Sequence, residues 1–178
     1  MSKPNAAEPV KLFFSVLAVT AELLNETISE LSALYGQADF VSEQMSFDYT
    51  DYYSPEMGAA LVRRFLSMEK LIRPESLPDI KLATNEIEEK STLSGSRQVN
   101  IDPGYLAKAQ LILATGKGYA HRPYLRDGIY ADLTLFYQGK KFCALPWTYP
   151  DYADEKQLLM LSKIREKYLS QLKIKSGE

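Results

Sequence analysis

The sequence predicts an α+β fold, in which a β-α-β-β-α-β core is followed by a β-hairpin and a C-terminal helix. Three patterns predict it: an apolar run at residues 11–19, helical spacing of apolar residues after that run and near the chain end, and period-two alternation at residues 129–137. A length of 178 residues suits one domain. We expect a single domain over residues 1–178, with 1–9 and 174–178 frayed because they lack apolar periodicity.

The first strand and helix have the clearest local signals. Residues 11–19 (KLFFSVLAV) are apolar at nearly every position, which is typical of a strand buried on both faces. Thr20 then provides an N-cap and Gly36 a C-terminal stop for a helix. The residues that recur on one face of this helix are Leu24, Ile28, Leu31 and Tyr35.

The middle of the chain predicts two strands and a second helix. Residues 41–49 alternate between apolar and polar positions, and we interpret residues 61–72 as a strand, with a helix as the alternative. Residues 51–58 contain proline and glycine and predict a loop. Two prolines bracket the start of a helix over residues 79–91.

A third region combines short strands with turn signals. Residues 97–101 predict a strand that a turn at residues 102–104 (Asp-Pro-Gly) closes. Residues 106–115 predict a helical turn leading into a strand, and residues 116–128 predict a long polar loop.

The C-terminal part predicts a hairpin and a helix. Residues 129–137 and 141–145 are the two strands of the hairpin, and the first strand has one apolar face formed by Ile129, Ala131, Leu133 and Leu135. Residues 146–152 are too rich in proline for regular structure, and residues 154–172 predict an amphipathic helix. This order predicts a ferredoxin-like core with an added C-terminal β-hairpin and helix.

Charge and cysteine content restrict the class of protein. The chain has 21 basic and 23 acidic side chains, a net charge of −2, which argues against a nucleic-acid-binding protein. Cys143 is the only cysteine, so an intrachain disulfide and a multi-cysteine zinc site are excluded. No apolar run has the length of a membrane span, and no signal-peptide pattern is found. We therefore expect a cytoplasmic protein without a membrane partner.

The Gly116-Lys117-Gly118 segment does not form a known phosphate-binding motif. A Walker A loop needs Ser or Thr after the lysine and a glycine five positions before the second glycine, and the corresponding residue here is not glycine. The guanine-reading pattern Asn-Lys-x-Asp is also missing. A P-loop GTPase is therefore not predicted, and Lys117 lies in a polar loop.

His121 and a set of carboxylates are the residues with potential chemistry. His121 has a side chain suited to general acid/base catalysis, but it is the only histidine and equally fits a structural role. Oxygen ligands for magnesium are offered near strand ends by Asp48, Asp51, Glu56, Asn100 and Asp102. No spacing fixes a metal site, and the alternative is that these carboxylates pair with Arg63, Arg64 and Arg97.

Tyrosine is abundant, with 12 residues against one tryptophan. Most tyrosines lie in the turn-rich segments, where the ring and hydroxyl suit a pocket wall, an interface or a base-stacking platform. The alternative is a half-buried aromatic belt beneath the loops.

Several short blocks resemble the prokaryotic family known as domain of unknown function 4416. The blocks are Phe47-Asp48-Tyr49-Thr50 with Tyr52-Tyr53 and Glu56-Met57-Gly58, Asn100-Ile101-Asp102-Pro103-Gly104-Tyr105-Leu106, His121-Arg122 with Tyr124-Leu125, Gly128-Ile129-Tyr130, and Pro146-Trp147-Thr148-Tyr149-Pro150-Asp151-Tyr152. The resemblance covers about residues 11–152. It implies no established activity; some members carry a GTP-binding label, whose nucleotide motifs are missing here.

The resemblance implies that the site residues lie in loops and turns. The ligand-binding candidates are Asp48, Asn100, Asp102, Lys117, His121, Arg122, Tyr124, Tyr130 and Tyr149, with His121 the candidate catalytic residue. The leading hypothesis is a protein that binds a small anionic or nucleotide-like ligand in a His/Arg/Asp/Tyr pocket. The alternatives are a protein- or RNA-interaction module with a tyrosine-rich face, and a phosphate-ester hydrolase or transferase. The sequence identifies no cofactor and no oligomeric state.

Overall fold

The computed structural model describes residues 1–50, 52–58 and 60–176, and nine strands and five helices are found in that part of the chain. The strands are β1 (Val10–Ala18), β2 (Ala38–Val41), β3 (Met45–Phe47), β4 (Leu61–Ile72), β5 (Val99–Leu106), β6 (Gln110–Thr115), β7 (Tyr124–Arg126), β8 (Ile129–Gln138) and β9 (Lys141–Ala144). The helices are α1 (Ala21–Tyr35), α2 (Ser54–Met57), α3 (Leu77–Lys90), α4 (Pro150–Ala153) and α5 (Glu155–Ser176). The chain is thus an α+β protein.

All the strands belong to one antiparallel sheet. The order is β2-β4-β1-β5-β6-β8-β7. β3 also pairs with β4, and β9 also pairs with β8, so each edge of the sheet is formed by two short strands in succession.

Each face of the sheet has its own apolar core. On one face, β1, β4 and β5 pack against α1 and α3 around Leu12, Phe14 and Leu66. On the other face, Phe13 and Phe65 pack with residues of β6, β8 and α5. Since successive side chains of a strand point to opposite faces, β1 is buried at all nine positions. The apolar run at residues 11–19 predicted this two-sided burial.

Most of the predicted elements are confirmed. Thr20 caps α1, because its hydroxyl accepts a hydrogen bond from the Leu23 N–H at 3.2 Å, and α1 ends before Gly36. The strand at residues 61–72 and the hairpin of β8 and β9 are present, and α3 begins two residues before the predicted start.

The predicted turn at residues 102–104 is wrong, because β5 continues through it. β6 pairs with β5 only from Gly104 onward. Before that point, side chains of α3 satisfy the unpaired backbone groups of Ile101. The Ile101 N–H donates to the Glu88 carboxylate at 2.6 Å, and the Ile101 carbonyl accepts from the Lys81 amine at 2.9 Å. Pro103 lies two residues further on, so its missing N–H faces the same edge, where no strand is paired.

The helical turn predicted within residues 106–115 is also wrong. The Ala107 N–H donates to the Gln110 carbonyl at 2.8 Å and closes a hairpin between β5 and β6. A glycine is required in this hairpin, because a Cβ on Gly104 would lie 2.4 Å from the Ile112 carbonyl oxygen.

The predicted apolar face of β8 changes sides within the strand. Leu111 of β6 pairs with Leu135, whereas Ile112 pairs with Leu133, so Thr134 is an extra residue in β8. Such a bulge reverses the alternation of side chains. Leu133 therefore packs with Ile112 on the face of the sheet that carries α3, and Leu135 packs in the core beside α5 on the other face.

Three predicted loops contain short regular elements. Residues 51–58 include α2 and residues 146–152 enter α4, and each of these helices has a proline in its first turn, where proline is well tolerated. Residues 116–128 include β7. Local sequence hid these elements because proline and glycine are signals of turns as well as of helix starts.

One further prediction needs a smaller correction. The strand predicted at residues 41–49 is interrupted, because β2 ends at Val41 and β3 begins at Met45. α5 extends to Ser176, beyond the predicted end at residue 172, and residues 177–178 lie outside the described residues. No helix in the described part of the chain is long and apolar enough to cross a membrane.

Candidate functional site

Three loops meet on the face of the sheet opposite α1 and α3. They lie before α2, between β6 and β7, and between β9 and α4. The side chains through which they contact one another form what we call the aromatic-cationic cluster: Tyr52, Lys117, His121, Arg122, Trp147 and Tyr149. Three of the predicted sequence blocks thus contribute to one surface.

Arg122 is anchored by a carboxylate of the sheet. Its Nε donates to Asp132 Oδ2 at 2.7 Å, and the two side chains are 11% and 7% exposed. The terminal nitrogens of the guanidinium donate to the Lys117 carbonyl at 3.2 Å and to the Tyr149 hydroxyl at 3.1 Å. Asp132 of β8 therefore fixes the orientation of Arg122, which in turn joins two loops.

His121 is held in a stack of aromatic rings. Its imidazole lies 4.6 Å from the Trp147 ring, centroid to centroid, at an interplanar angle of 12°, and Tyr119 meets it edge-on at 5.4 Å. The His121 Nε2 is buried without a hydrogen bond and lies 3.6 Å from Asp132 Oδ2. The Trp147 indole N–H is bound to the Leu133 carbonyl at 2.8 Å, which fixes the stack on β8.

Lys117 extends from its loop to the segment before α2. Its amine donates to the Tyr52 hydroxyl and lies 4.6 Å from the centroid of the Tyr52 ring. Within the described ranges it forms no ion pair with a carboxylate. Since Asp132 balances the charge of Arg122, Lys117 gives the aromatic-cationic cluster a net positive charge.

Tyr130 and Tyr124 border the aromatic-cationic cluster. Tyr130 precedes Asp132 by two residues on β8 and so faces the same side of the sheet. Its ring meets that of Tyr124 edge-on at 5.2 Å, and Tyr124 is 60% exposed. A Cβ on Gly118 would lie 3.1 Å from the Tyr130 ring, so glycine lets the loop pack closely on this tyrosine.

Asn100 and Asp102 belong to a second group of polar residues, on β5. The Asn100 amide donates to Asp102 Oδ2 at 2.9 Å, and its carbonyl oxygen accepts from Arg97 at 2.9 Å. Arg97 also forms an ion pair with Glu56 at 2.9 Å and lies 6.0 Å from the centroid of the Tyr53 ring. The Asp102 group, as we call Tyr53, Arg97, Asn100 and Asp102, thus holds the segment around α2 against the sheet.

Adjacent tyrosines connect the two groups. The Tyr52 ring belongs to the aromatic-cationic cluster and the Tyr53 ring to the Asp102 group, and their centroids are 5.1 Å apart at an angle of 89°. The two groups are therefore neighbours on one face of the sheet.

Not every predicted residue joins these groups. Asp48 is exposed in the loop after β3 and makes no described contact with either group, and Asp51 lies outside the described residues. Among the predicted carboxylate–arginine pairs, Glu56 does pair with Arg97. The Arg63 pairing is different, because Arg63 binds Asp151, and Arg64 donates to the Asn25 side chain at 3.2 Å.

Four residues with extensive contacts were not among the site candidates predicted from the sequence: Arg63, Asp132, Asp151 and Tyr152. Arg63 is 4% exposed, donates to the Ser15 hydroxyl at 2.9 Å and stacks on the Phe65 ring at 4.1 Å. A usable signal existed for Asp132, because it occupies the face of an alternating strand opposite its aliphatic neighbours. No local pattern indicates that Arg63 and Asp151 would meet, since they are distant in sequence.

Two surface cavities differ in their position relative to these groups. One, of about 320 Å³, is lined by Glu56, Glu88 and Arg97 among others, and adjoins the Asp102 group. The other, of about 380 Å³, is lined by Asp39, Glu69 and Lys167 among others, at the opposite edge of β1. Neither is lined by the aromatic-cationic cluster, which is an open surface. In the described ranges no three His, Cys, Asp or Glu residues are grouped to hold a metal ion.

The fold and these contacts define an α+β protein with one antiparallel sheet, covered on one face by two helices and carrying two adjacent polar groups on the other. The chain belongs to the family described as domain of unknown function 4416, which it matches over residues 8–168. No curated protein and no solved structure is significantly similar to it.

Proposed function

We propose that this protein binds a small anionic or nucleotide-like ligand at the aromatic-cationic cluster. The observation that carries the proposal is that Lys117, His121 and Arg122 are brought together with exposed aromatic rings from two other loops. Cationic and aromatic side chains on one surface suit a ligand with a negative charge and a planar or polar body.

The contacts of the cations support an anion at this surface. A guanidinium has five N–H donors, and three of those of Arg122 are used within the protein. Each of the two terminal nitrogens carries one further N–H for which the described residues show no acceptor. Among the described residues, the Lys117 amine contacts the hydroxyl and ring of Tyr52, and an anion would be a stronger partner than that neutral group.

The exposed rings support a planar group in the ligand. Tyr119 is 70% exposed, Tyr52 60% and Tyr149 51%. Aromatic side chains with this degree of exposure leave much of their apolar surface in contact with water. A ligand stacked on the rings would remove part of that surface from water, which is favourable.

The direct test is binding of pyrophosphate, AMP and GTP by Lys117→Ala, measured by thermal shift and calorimetry. We expect the wild type to bind at least one of these anions, and Lys117→Ala to bind it about tenfold more weakly with an unchanged melting temperature, because the side chain is exposed. The matched control is Lys70→Ala, an exposed lysine at the far end of β4 from Arg63. Equal loss in both variants, or binding of no anion, would contradict the proposal.

The exposed tyrosines also support a second candidate, a protein- or RNA-interaction module. The rings project from loops rather than from a flat sheet face, which fits a compact ligand better than a stacked single strand. An oligonucleotide that binds more tightly than AMP and loses affinity in Tyr149→Ala would favour this alternative.

A phosphate-ester hydrolase or transferase is the third candidate. The observation that favours it is the 3.6 Å distance between His121 Nε2 and Asp132 Oδ2, which places a carboxylate next to the imidazole. The Nε2 is buried, however, and Asp132 is already bound by Arg122, so that nitrogen does not face a ligand on the open surface. Turnover of p-nitrophenyl phosphate that disappears in His121→Gln would favour catalysis.

We further propose that β1, α1, β2 with β3, β4, α3 and β5 form a ferredoxin-like unit. The antiparallel order β2-β4-β1-β5, with α1 and α3 over one face, supports it.

A cytoplasmic location is likewise proposed, supported by the single cysteine, and fractionation of cells followed by immunoblotting tests it.

A further inference from the structure

His121 is a titratable side chain whose change of charge the proposed function does not use. It is the only histidine of the chain, and histidine is the side chain that ordinarily changes its charge between about pH 5 and pH 8. The side chain is 11% exposed, and its Nε2 is buried without a hydrogen bond from the described residues, 3.6 Å from Asp132 Oδ2. That distance is longer than a hydrogen bond, so the carboxylate lies beside the ring nitrogen without binding it.

The Asp132 carboxylate has capacity for a second donor. Its Oδ2 accepts a hydrogen bond from the Arg122 Nε at 2.7 Å, and each carboxylate oxygen has two lone pairs. A neutral imidazole carries its proton on either ring nitrogen, whereas an imidazolium always has an N–H at Nε2 and a charge that attracts the carboxylate. Protonation of His121 therefore turns a contact without a hydrogen bond into a charge-assisted one.

The other groups that face His121 act in both directions. The Trp147 ring, from the loop between β9 and α4, is stacked on the imidazole at 4.6 Å and attracts a cation through its π-face. Arg122, on the same loop as His121, is bound to the same carboxylate and repels an imidazolium. Tyr119 adds an uncharged ring that meets the imidazole edge-on at 5.4 Å. Asp132 and Trp147 thus favour the protonated imidazole, and Arg122 opposes it.

The charge of His121 changes how strongly the aromatic-cationic cluster attracts an anion. With a neutral imidazole, Asp132 balances the charge of Arg122, and Lys117 supplies the net positive charge. An imidazolium adds a further positive charge and shares the Asp132 carboxylate with Arg122. An anion that contacts Lys117 and Arg122 would then meet a guanidinium whose charge is less completely balanced, in a more positive surrounding.

We infer that anion binding at the aromatic-cationic cluster is regulated by pH, and that protonation of His121 next to Asp132 strengthens it. The inference rests on the proposed function, because it concerns the affinity of that same surface for an anion. Since coupling between two binding events is reciprocal, a bound anion also favours the protonated imidazole. Proton and anion therefore bind cooperatively, and the anion is held more tightly as the pH falls.

The first test compares affinities at two pH values. Pyrophosphate, AMP and GTP are titrated calorimetrically into the wild type and His121→Gln at about pH 5.5 and pH 8. Glutamine does not titrate, and the phosphate groups of each probe change their charge equally in both experiments. We expect the ratio of the affinity at the lower pH to that at the higher pH to be at least about fivefold larger in the wild type. Lys70→Ala, a change of an exposed lysine, should keep the wild-type ratio.

The second test needs no variant, because Trp147 is the only tryptophan and stacks on His121. An imidazolium stacked on an indole ring quenches its fluorescence more strongly than a neutral imidazole does. We expect the emission of the wild type to fall as the pH is lowered from about 8 to 5.5. A saturating concentration of whichever of the three probes binds most tightly should move the midpoint of this fall upward by at least about 0.7 pH unit, which corresponds to the same fivefold coupling.

The two tests separate the inference from the proposed function. Equal affinity ratios in the wild type and His121→Gln, or a fluorescence midpoint that the bound anion does not move, would overturn the regulation by pH. Binding of an anion that depends on Lys117 would then still support the proposed function, whereas binding of none of the three anions would overturn both.

Discussion

Asp132 shows how one residue of the sheet organises a surface made of loops. Its Oδ2 accepts the Arg122 Nε hydrogen bond, and its Oδ1 lies 3.3 Å from the Thr134 hydroxyl. The His121 Nε2 lies 3.6 Å from the Oδ2 of the same carboxylate. Because the side chain of Asp132 is only 7% exposed, removal of Arg122 would leave a buried carboxylate without its guanidinium partner.

This arrangement predicts that Arg122 has a structural role, in addition to the ligand contact proposed for it. We expect Arg122→Ala to lower the free energy of unfolding by about 2 kcal/mol, less than for a fully buried pair because one side of the guanidinium reaches solvent. The double variant Arg122→Ala/Asp132→Asn should recover most of the loss. Chemical denaturation measures both variants.

The matched control is Arg126→Ala. Arg126 pairs with Asp79 and Asp127, all exposed, so we expect little change in stability. Equal stability of Arg122→Ala and wild type would contradict the anchoring role of Asp132. Because a substitution of Arg122 is expected to change stability, Lys117 is the better residue with which to test the proposed ligand binding.

At the scale of the element, the conformation of β5 depends on hydrogen bonds from neighbouring elements more than on its own sequence. Burial raises the pKa of the Glu88 carboxyl, although Lys81, the Ile101 N–H and Arg97 act in the opposite direction. Glu88 and Lys81 replace the strand that would otherwise continue the ladder at Ile101. The separation of β5 from β6 is thus stabilised by side chains of α3.

Close approach of β5 and β6 predicts a strict requirement for glycine at position 104. In Gly104→Ala the new Cβ would lie 2.4 Å from a backbone oxygen and 2.6 Å from the Leu113 side chain, so the strands must separate. We expect a loss of about 2 to 3 kcal/mol in the free energy of unfolding, as for an overpacked core.

Gly116→Ala is the control for this substitution, because a Cβ at Gly116 meets nothing within 4 Å. Its effect should stay within about 0.5 kcal/mol. Urea denaturation of both variants gives the comparison, and equal stability would show that the β5–β6 hairpin relaxes without cost.

At the scale of the molecule, one sheet serves both cores. β1, β4 and β5 contribute side chains to the helix-covered core and to the core beside α5. α5 is fixed to the sheet beside the start of β1 and the β5–β6 turn, because the Tyr168 hydroxyl donates to the Pro9 carbonyl at 2.9 Å and Arg165 donates to the Lys108 carbonyl at 2.7 Å. The buried Lys11 amine joins β1 to Asp39 and to Gln171 of α5.

This shared sheet predicts one cooperative unfolding transition for the described fold. Trp147 is the only tryptophan and stacks on His121 in the aromatic-cationic cluster, so its fluorescence reports on the loops, whereas far-UV circular dichroism reports on the whole sheet. We expect the two signals to change at the same urea concentration. A fluorescence change at clearly lower urea would show that the loops unfold separately.

Local patterns predicted the elements whose stability is local or apolar. β1 and α1 were predictable because a two-sided apolar run, an N-cap and a C-terminal glycine are all present within residues 10–36. The continuation of β5 beyond Asp102 was not, because it depends on pairing with β1 and, from Gly104 onward, with β6. The reversal of faces in β8 was not predictable either, since the bulge at Thr134 exists only through its pairing with β6.

The candidate site divides in the same way. The amino-acid sequence by itself determined which loops carry cationic, polar and aromatic side chains, because the residue types in each segment do not depend on how the chain folds. Only the tertiary structure decided that Arg122 is bound to Asp132, that His121 stacks on Trp147 and that Asp48 lies apart. The physical reason is that these contacts join residues distant in sequence, and hydrogen bonds and ring stacking depend on geometry that no local pattern specifies.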